Sequence, residues 1–210
     1  MDAAYVDLGA GVFRASDLTR GPWNPGHQHA GPPSALIVRA IERAAAGEGL
    51  THLGRLTVNL MRPAPIGECR VEVAADYVGR SAGHYSGRFI AGGKEIARFT
   101  ALAQREDDLP IPEGTLGHPP PAAPKPPGEC PVVTMHFTDR PFGYADLVEN
   151  RLAAGHFFNG PCAAWFRQIC FPQLRSHDQP LPPSGGAMDL PRRAKLVRKQ
   201  RLRTGRVGAL

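Results

Sequence analysis

Hydrophobic and polar positions along this chain change period repeatedly, and each change marks a different kind of segment. Tyr5-Val-Asp-Leu8 and Val12-Phe-Arg-Ala-Ser16 flank Gly9-Ala-Gly11, the pattern of two short strands about a glycine turn. From Trp23 to Ser34 no regular ladder fits, because Pro25, Gly26, Gly31, Pro32 and Pro33 interrupt it. Leu36, Ile37, Val38, Ala40, Ile41 and Ala44 then predict a helix that is apolar on several sides and stops at Gly47-Glu-Gly49. A helix of this kind needs to be wrapped.

From Leu53 the period becomes two. Leu56, Val58 and Leu60 alternate with Arg55, Thr57 and Asn59, a half-buried strand closed by Arg62-Pro-Ala-Pro65. Alternating segments follow at 68–79, 84–91 and 94–104, turned at Arg80-Ser-Ala-Gly83 and at Gly92-Gly93. One helix followed by four antiparallel strands predicts an α+β layer around that helix. Residues 1–108 are expected to form this domain. Prolines 110, 112, 119, 120, 121, 124, 126, 127 and 131 then predict an extended linker over 109–131. Past it, Tyr144–Ala154 and Gly160–Phe171 read as two strands, the start of a second domain over 132–171. Two strands do not stand alone. Residues 172–210 show no usable period.

Charge changes the picture less than its total suggests. The formal net charge is +6, yet residues 191–210 hold eight of the 25 cations and no acid. The remaining 17 basic residues face 19 acidic ones, so the body of the protein is slightly acidic. The basic tail offers a weak polyanion patch with no interleaved aromatic residues, so nucleic acid ranks last among the partners. No apolar run approaches membrane-spanning length, and Met1-Asp-Ala-Ala-Tyr5 has no signal-peptide character. Cys69, Cys130, Cys162 and Cys170 contain no CxxC pair, which fits a reducing cytoplasm, with a Cys162–Cys170 disulfide as the open alternative. His27 and His29 form an HxH pair without a third ligand cluster, so no metal site is expected.

Trp23, Gln28-His-Ala-Gly-Pro-Pro-Ser-Ala35, Thr57-Val-Asn-Leu-Met-Arg-Pro63, Gly79-Arg-Ser81 and Trp165-Phe-Arg167 occur in that order. This order resembles the acyl-CoA thioesterase II-like family of double-hotdog proteins, over about residues 5–171. The resemblance implies a hotdog fold, a central helix wrapped by an antiparallel sheet, followed by a partial second hotdog. It implies hydrolysis or binding of acyl-CoA or a similar acyl thioester without a cofactor, and homo-oligomers formed by hotdog pairing. Ala30 stands where the family has the first glycine of its pair.

In such a site, N–H groups at the helix start hold the tetrahedral oxyanion while a polar group activates water. Pro32 and Pro33 have no N–H, so Gly31, Ser34 and Ala35 are the expected donors. His29 is a candidate base or acyl contact, or simply a loop histidine packed beside the helix. Gln28, Asn59, Arg62, Arg80 and Ser81 are the expected substrate contacts, the arginines toward coenzyme A phosphates. Solvent-facing strand positions and surface ion pairs are the plain alternatives for Asn59 and the arginines. The family's acid–base residue lies on the second hotdog's helix, and nothing here matches it. The chain can therefore be read as an enzyme, or as a non-catalytic acyl-binding or assembly module.

Met188-Asp189 is the nearest candidate for the start of that second helix, but Pro191 and the basic run follow it. The tail is therefore expected to be truncated or out of frame. The coding DNA checks this: a second frame past Phe171 should restore a hotdog-like helix and strands, and its absence contradicts the expectation.

Overall fold

The computed structural model describes residues 3–108, 110, 112, 124–134, 142–157, 159–168 and 174–176. Met188-Asp189, the basic tail and Cys170 lie outside them. The described residues divide into two compact units. Residues 3–108, 110, 142–146 and 174–176 make the first; 112, 124–134, 147–157 and 159–168 make the second.

In the first unit, β1 (Tyr5–Gly9) and β2 (Val12–Ala15) pair antiparallel. Helix α1 (Gly31–Ala46) follows, then β3 (His52–Leu60), β4 (Glu68–Val78), β5 (Ala82–Ala91) and β6 (Lys94–Gln104). With β9 (Leu174–Ser176) parallel to β1, the sheet order is β3-β6-β5-β4-β2-β1-β9. The helix packs on β3, β4, β5 and β6. Leu36, Ile37, Ile41 and Ala45 carry its buried stripe, at the spacing of one helical face. Tyr85, Phe89 and Phe99 on the inner face of the sheet complete the core. This is the wrapped helix that the alternating strands predict.

The glycines that end α1 divide the work unequally. Gly47 keeps a right-handed helical conformation, and the left-handed residue is Gly49, at φ +70°. Its N–H donates to the Ala46 carbonyl, and that of Leu50 donates to Ala45. Gly92 and Gly93, both at positive φ, form the two-residue β5–β6 turn that Gly-Gly favours. On β3 the expected alternation holds through Val58 but fails at Leu60, which is 52 % exposed. Strand β3 lies at the end of the sheet order, so its last turn of chain has little to pack against.

The second unit contains β7 (Val148–Ala154) and β8 (Ala163–Gln168), an antiparallel pair. The preceding residues 144–147 are a 3-10 turn and not strand, because the Asp146 carboxylate accepts the Gly143 N–H at 2.8 Å and bends the chain. Part of the expected linker is also packed. Pro127–Glu129 form a 3-10 turn and Cys130 is buried. The Pro131 carbonyl accepts from Leu152 N–H, and the Lys125 carbonyl accepts the Trp165 indole N–H at 2.7 Å. Proline content marks where a ladder stops, and does not by itself make a segment free. Cys162 is an exposed free thiol, and the Cys162–Cys170 alternative involves a residue outside the described ones. Among the described residues no helix is long and apolar enough to cross a membrane.

Cys69 lies in β4 and is buried. Burial, and then the neighbouring Glu68 charge, push its thiol up to about 12. An unfolded-chain thiol ionises near about 8.5. The folded state therefore keeps a proton that the unfolded state releases. Its stabilising effect is complete below about pH 8.5 and is lost as pH rises toward 12. Denaturant unfolding across this range should show falling stability, with a shallower alkaline decline in Cys69→Ala. An unchanged alkaline slope in that variant would contradict this assignment.

Candidate functional site at the start of the central helix

The loop entering α1 is pinned to the sheet by one side chain. Gln28 is only 8 % exposed. Its Oε1 accepts the Tyr5 hydroxyl at 2.6 Å, its Nε2 donates to the Pro65 carbonyl at 2.7 Å, and its N–H donates to Ala64. Burial, and then the Cys69 charge, hold the Tyr5 phenol well above its ordinary range, so it remains a donor. Gln28 thus ties β1, the loop and the β3–β4 connection together. Both ends of its amide are spent on the fold, and this is a structural role where the sequence suggests a substrate contact.

The next residue carries the polar chemistry. His29 N–H donates to the Thr19 carbonyl at 2.7 Å. Its Nδ1 accepts the Gly31 N–H at 3.0 Å. A nitrogen that accepts carries no proton, so the neutral ring bears its proton on Nε2. Whatever group it meets, Nε2 then offers a proton and not a lone pair. That geometry fits a donor to a carbonyl oxygen and does not fit a general base. The ring stacks with Trp23, with centroids 6.2 Å apart, and with Tyr144, with centroids 4.7 Å apart.

The remaining expected donors are engaged. Ser34 N–H donates to the Ala30 carbonyl at 3.2 Å, and its hydroxyl donates to the same oxygen at 2.8 Å. Ala35 is the fifth residue of α1, where the N–H joins the helical ladder. With Pro32 and Pro33 lacking N–H groups, the helix start offers fewer backbone donors than its sequence suggests. The positive end of the helix dipole is still directed there.

The substrate contacts expected from the sequence fall at different places. Arg62 follows β3, three residues before Pro65, and its Nη1 donates to the Glu95 carbonyl at 2.7 Å. Asn59 is exposed on β3, opposite Arg98. Arg80 and Ser81 form the β4–β5 turn, where their carbonyls accept from Arg105. The Arg105 guanidinium adjoins Gly49, just past the far end of the 16-residue α1, a helix about 24 Å long. The structure does not bring Arg80 and Ser81 to His29. Separately, a cleft of about 390 Å³ opens beside the middle of α1, with Phe13, Leu36 and Val71 inside and Arg39 and the Arg43–Asp7 ion pair among its lining. No group of acids, histidines or cysteines that could hold a metal occurs among the described residues.

Residues 19–104 match the family described as the acyl-CoA thioesterase N-terminal domain. The match covers 86 of the 210 residues. The matched stretch takes in the helix-start loop, α1 and β3–β6. The fold agrees with that of solved hotdog proteins. A thioesterase II candidate from Thermobifida fusca YX has 15 % identity and a TM-score of 0.59, over 78 % of this chain and 60 % of that one. A thioesterase candidate from Novosphingobium aromaticivorans has 20 % identity and a TM-score of 0.59, over 79 % and 65 %. A hot dog fold protein of unknown function from Alicyclobacillus acidocaldarius has 20 % identity and a TM-score of 0.55, over 80 % and 61 %. The chain thus spans less than two thirds of the length of each. No curated protein matches it in sequence.

Two contributors to the helix-start site are invisible to motif reading. The Tyr5 hydroxyl is 23 residues from its Gln28 partner. Tyr144 arrives from beyond the linker, and no local period connects it to His29. The Gln28 role is tested by a double-mutant cycle. Gln28→Ala should cost about 1–3 kcal/mol by leaving the Tyr5 hydroxyl and Pro65 carbonyl unpaired. Coupling to Tyr5→Phe should be about 1 kcal/mol in denaturant unfolding. Additive effects would contradict the strut.

Proposed function

We propose that this chain is an acyl-CoA thioesterase-like protein that receives an acyl thioester at the entry to α1. The observation that carries the reading is the family match over 19–104, which includes the whole loop from Thr19 to Ala35. His29 is the group that polarises the thioester carbonyl, through its Nε2 proton, with the α1 dipole behind it. Gly31 acts through His29, and Ser34 and Ala35 shape the helix start. Arg62 meets a coenzyme A phosphate, and Asn59 lies along the adjoining edge. Arg80 and Ser81 serve this site only if a second copy supplies them. In hydrolysis, water oxygen bonds to the carbonyl carbon, the carbon–sulfur bond breaks, and the coenzyme A thiolate leaves to take a proton.

Pairing of copies is part of the proposal. Leu60 and Met61, at the end of edge strand β3, are 52 % and 47 % exposed, and an edge strand is a template for another strand. Residues 132–171 are read as the start of a second hotdog. A cytoplasmic setting agrees with the free thiols of Cys69, Cys130 and Cys162.

One observation favours a second reading, a non-catalytic acyl-CoA-binding or assembly module. The Gly31 and Ser34 N–H groups are engaged, and neutral His29 has no lone pair left to take a proton from water. Free-thiol release from acyl-CoA esters of several chain lengths separates the two. Thiol release that falls about 100-fold or more in His29→Ala, the scale of a lost oxyanion donor, supports the enzyme. Binding of acyl-CoA without release supports the module. Neither release nor binding overturns both.

A further inference from the structure

The ring that covers His29 comes from outside the matched family domain. Tyr144 stacks on the imidazole with an interplanar angle of 18°. The same ring would lie 3.2 Å from a Cβ at position 31, a tight contact that a larger residue would relieve only by displacing the ring. Gly31 is thus constrained twice, by the N–H it gives to Nδ1 and by the side chain it lacks.

The segment carrying Tyr144 is held by several bonds. Arg20 Nη1 donates to the Phe142 carbonyl at 2.7 Å, across 122 residues of chain. Tyr144 N–H donates back to the Arg20 carbonyl at 3.0 Å. Gly143 lies so close to Arg20 that an added Cβ would meet the Arg20 carbonyl oxygen at 2.7 Å. Asp146 then turns the chain by accepting Gly143 N–H. Arg20 is itself set by an ion pair with Asp17 at 2.6 Å and by Nε donation to the Pro25 carbonyl. Burial raises the Tyr144 phenol, which stays neutral at ordinary pH. An anchored aromatic ring parallel to an imidazole limits rotation of that imidazole.

We infer that Tyr144 is a positioning residue, which holds the His29 imidazole in the plane where Nδ1 takes the Gly31 N–H and Nε2 keeps the proton. It has no part in bond making. It acts by keeping one tautomer and one orientation, so that the donor offered to an acyl thioester is set before the ligand arrives. The kinetic consequence rests on the function proposed above, whereas the tautomer claim stands without it.

The test uses the full chain with Tyr144→Ala and Tyr144→Phe, each checked for native circular dichroism. Imidazole nitrogen NMR should show one tautomer, with Nδ1 unprotonated, in the wild type and in Tyr144→Phe. Tyr144→Ala should show exchange between both tautomers. If the wild type releases thiol, Tyr144→Ala should lower kcat/KM about 2- to 10-fold, the range of a single aromatic contact, and Tyr144→Phe should restore it. A folded Tyr144→Ala protein with the wild-type His29 tautomer would overturn the inference, whether or not the protein is an enzyme. A wild type that neither binds nor hydrolyses acyl-CoA would overturn the functional reading and leave the NMR result to decide this one.

Discussion

The Gln28 amide joins parts of the first unit that the chain order keeps apart. Tyr5 on β1 donates to its oxygen, and its nitrogen donates to the Pro65 carbonyl in the connection leading to β4. A buried amide with both ends satisfied is a rigid joint, and one left half-satisfied costs more than it contributes. The loop from Trp23 to Ala30 has no regular ladder of its own, so its shape depends on this joint and on the His29 N–H bond to Thr19. The place where α1 begins, and the direction of its dipole, follow from it.

What the helix start can do is then a question of which protons remain available. Two prolines remove N–H groups, the Ser34 N–H turns back to Ala30, and the Gly31 N–H is taken by His29. The donor capacity that a helix start usually shows directly is passed to the imidazole, whose Nε2 carries the proton. This is consistent with carbonyl polarisation, and it leaves proton abstraction from water to another group. The stacked Tyr144 ring connects that arrangement to a segment well beyond the family domain.

Much of the fold is legible in the sequence because its signals are local. Alternation over β3–β6, the Gly92-Gly93 turn and the apolar stripe of α1 each depend on residues within a few positions of one another. Where the reading differs, a contact from farther away is responsible. Residues 144–147 look like strand but bend, because Asp146 accepts a backbone N–H. Proline-rich residues near 127–131 look like free linker, yet they receive Leu152 and Trp165 donors. Gln28 has the composition of a ligand contact, and only its three-dimensional neighbours show that both amide ends are used. The helix start itself was identifiable from Gly31-Pro-Pro-Ser34, whereas the covering by Tyr144 was not, since no periodicity spans that separation.

The proposed function makes the α1 entry the surface that meets an acyl thioester. A titration of the full chain with a non-hydrolysable acyl-CoA thioether, followed by backbone amide NMR, tests it most directly. Shifts should concentrate at His29, Ala30, Gly31 and Tyr144, with smaller changes at Arg62. Saturable binding whose shifts centre on the Arg80–Ser81 turn or on the cleft beside Arg39, with the α1 entry unmoved, would contradict it.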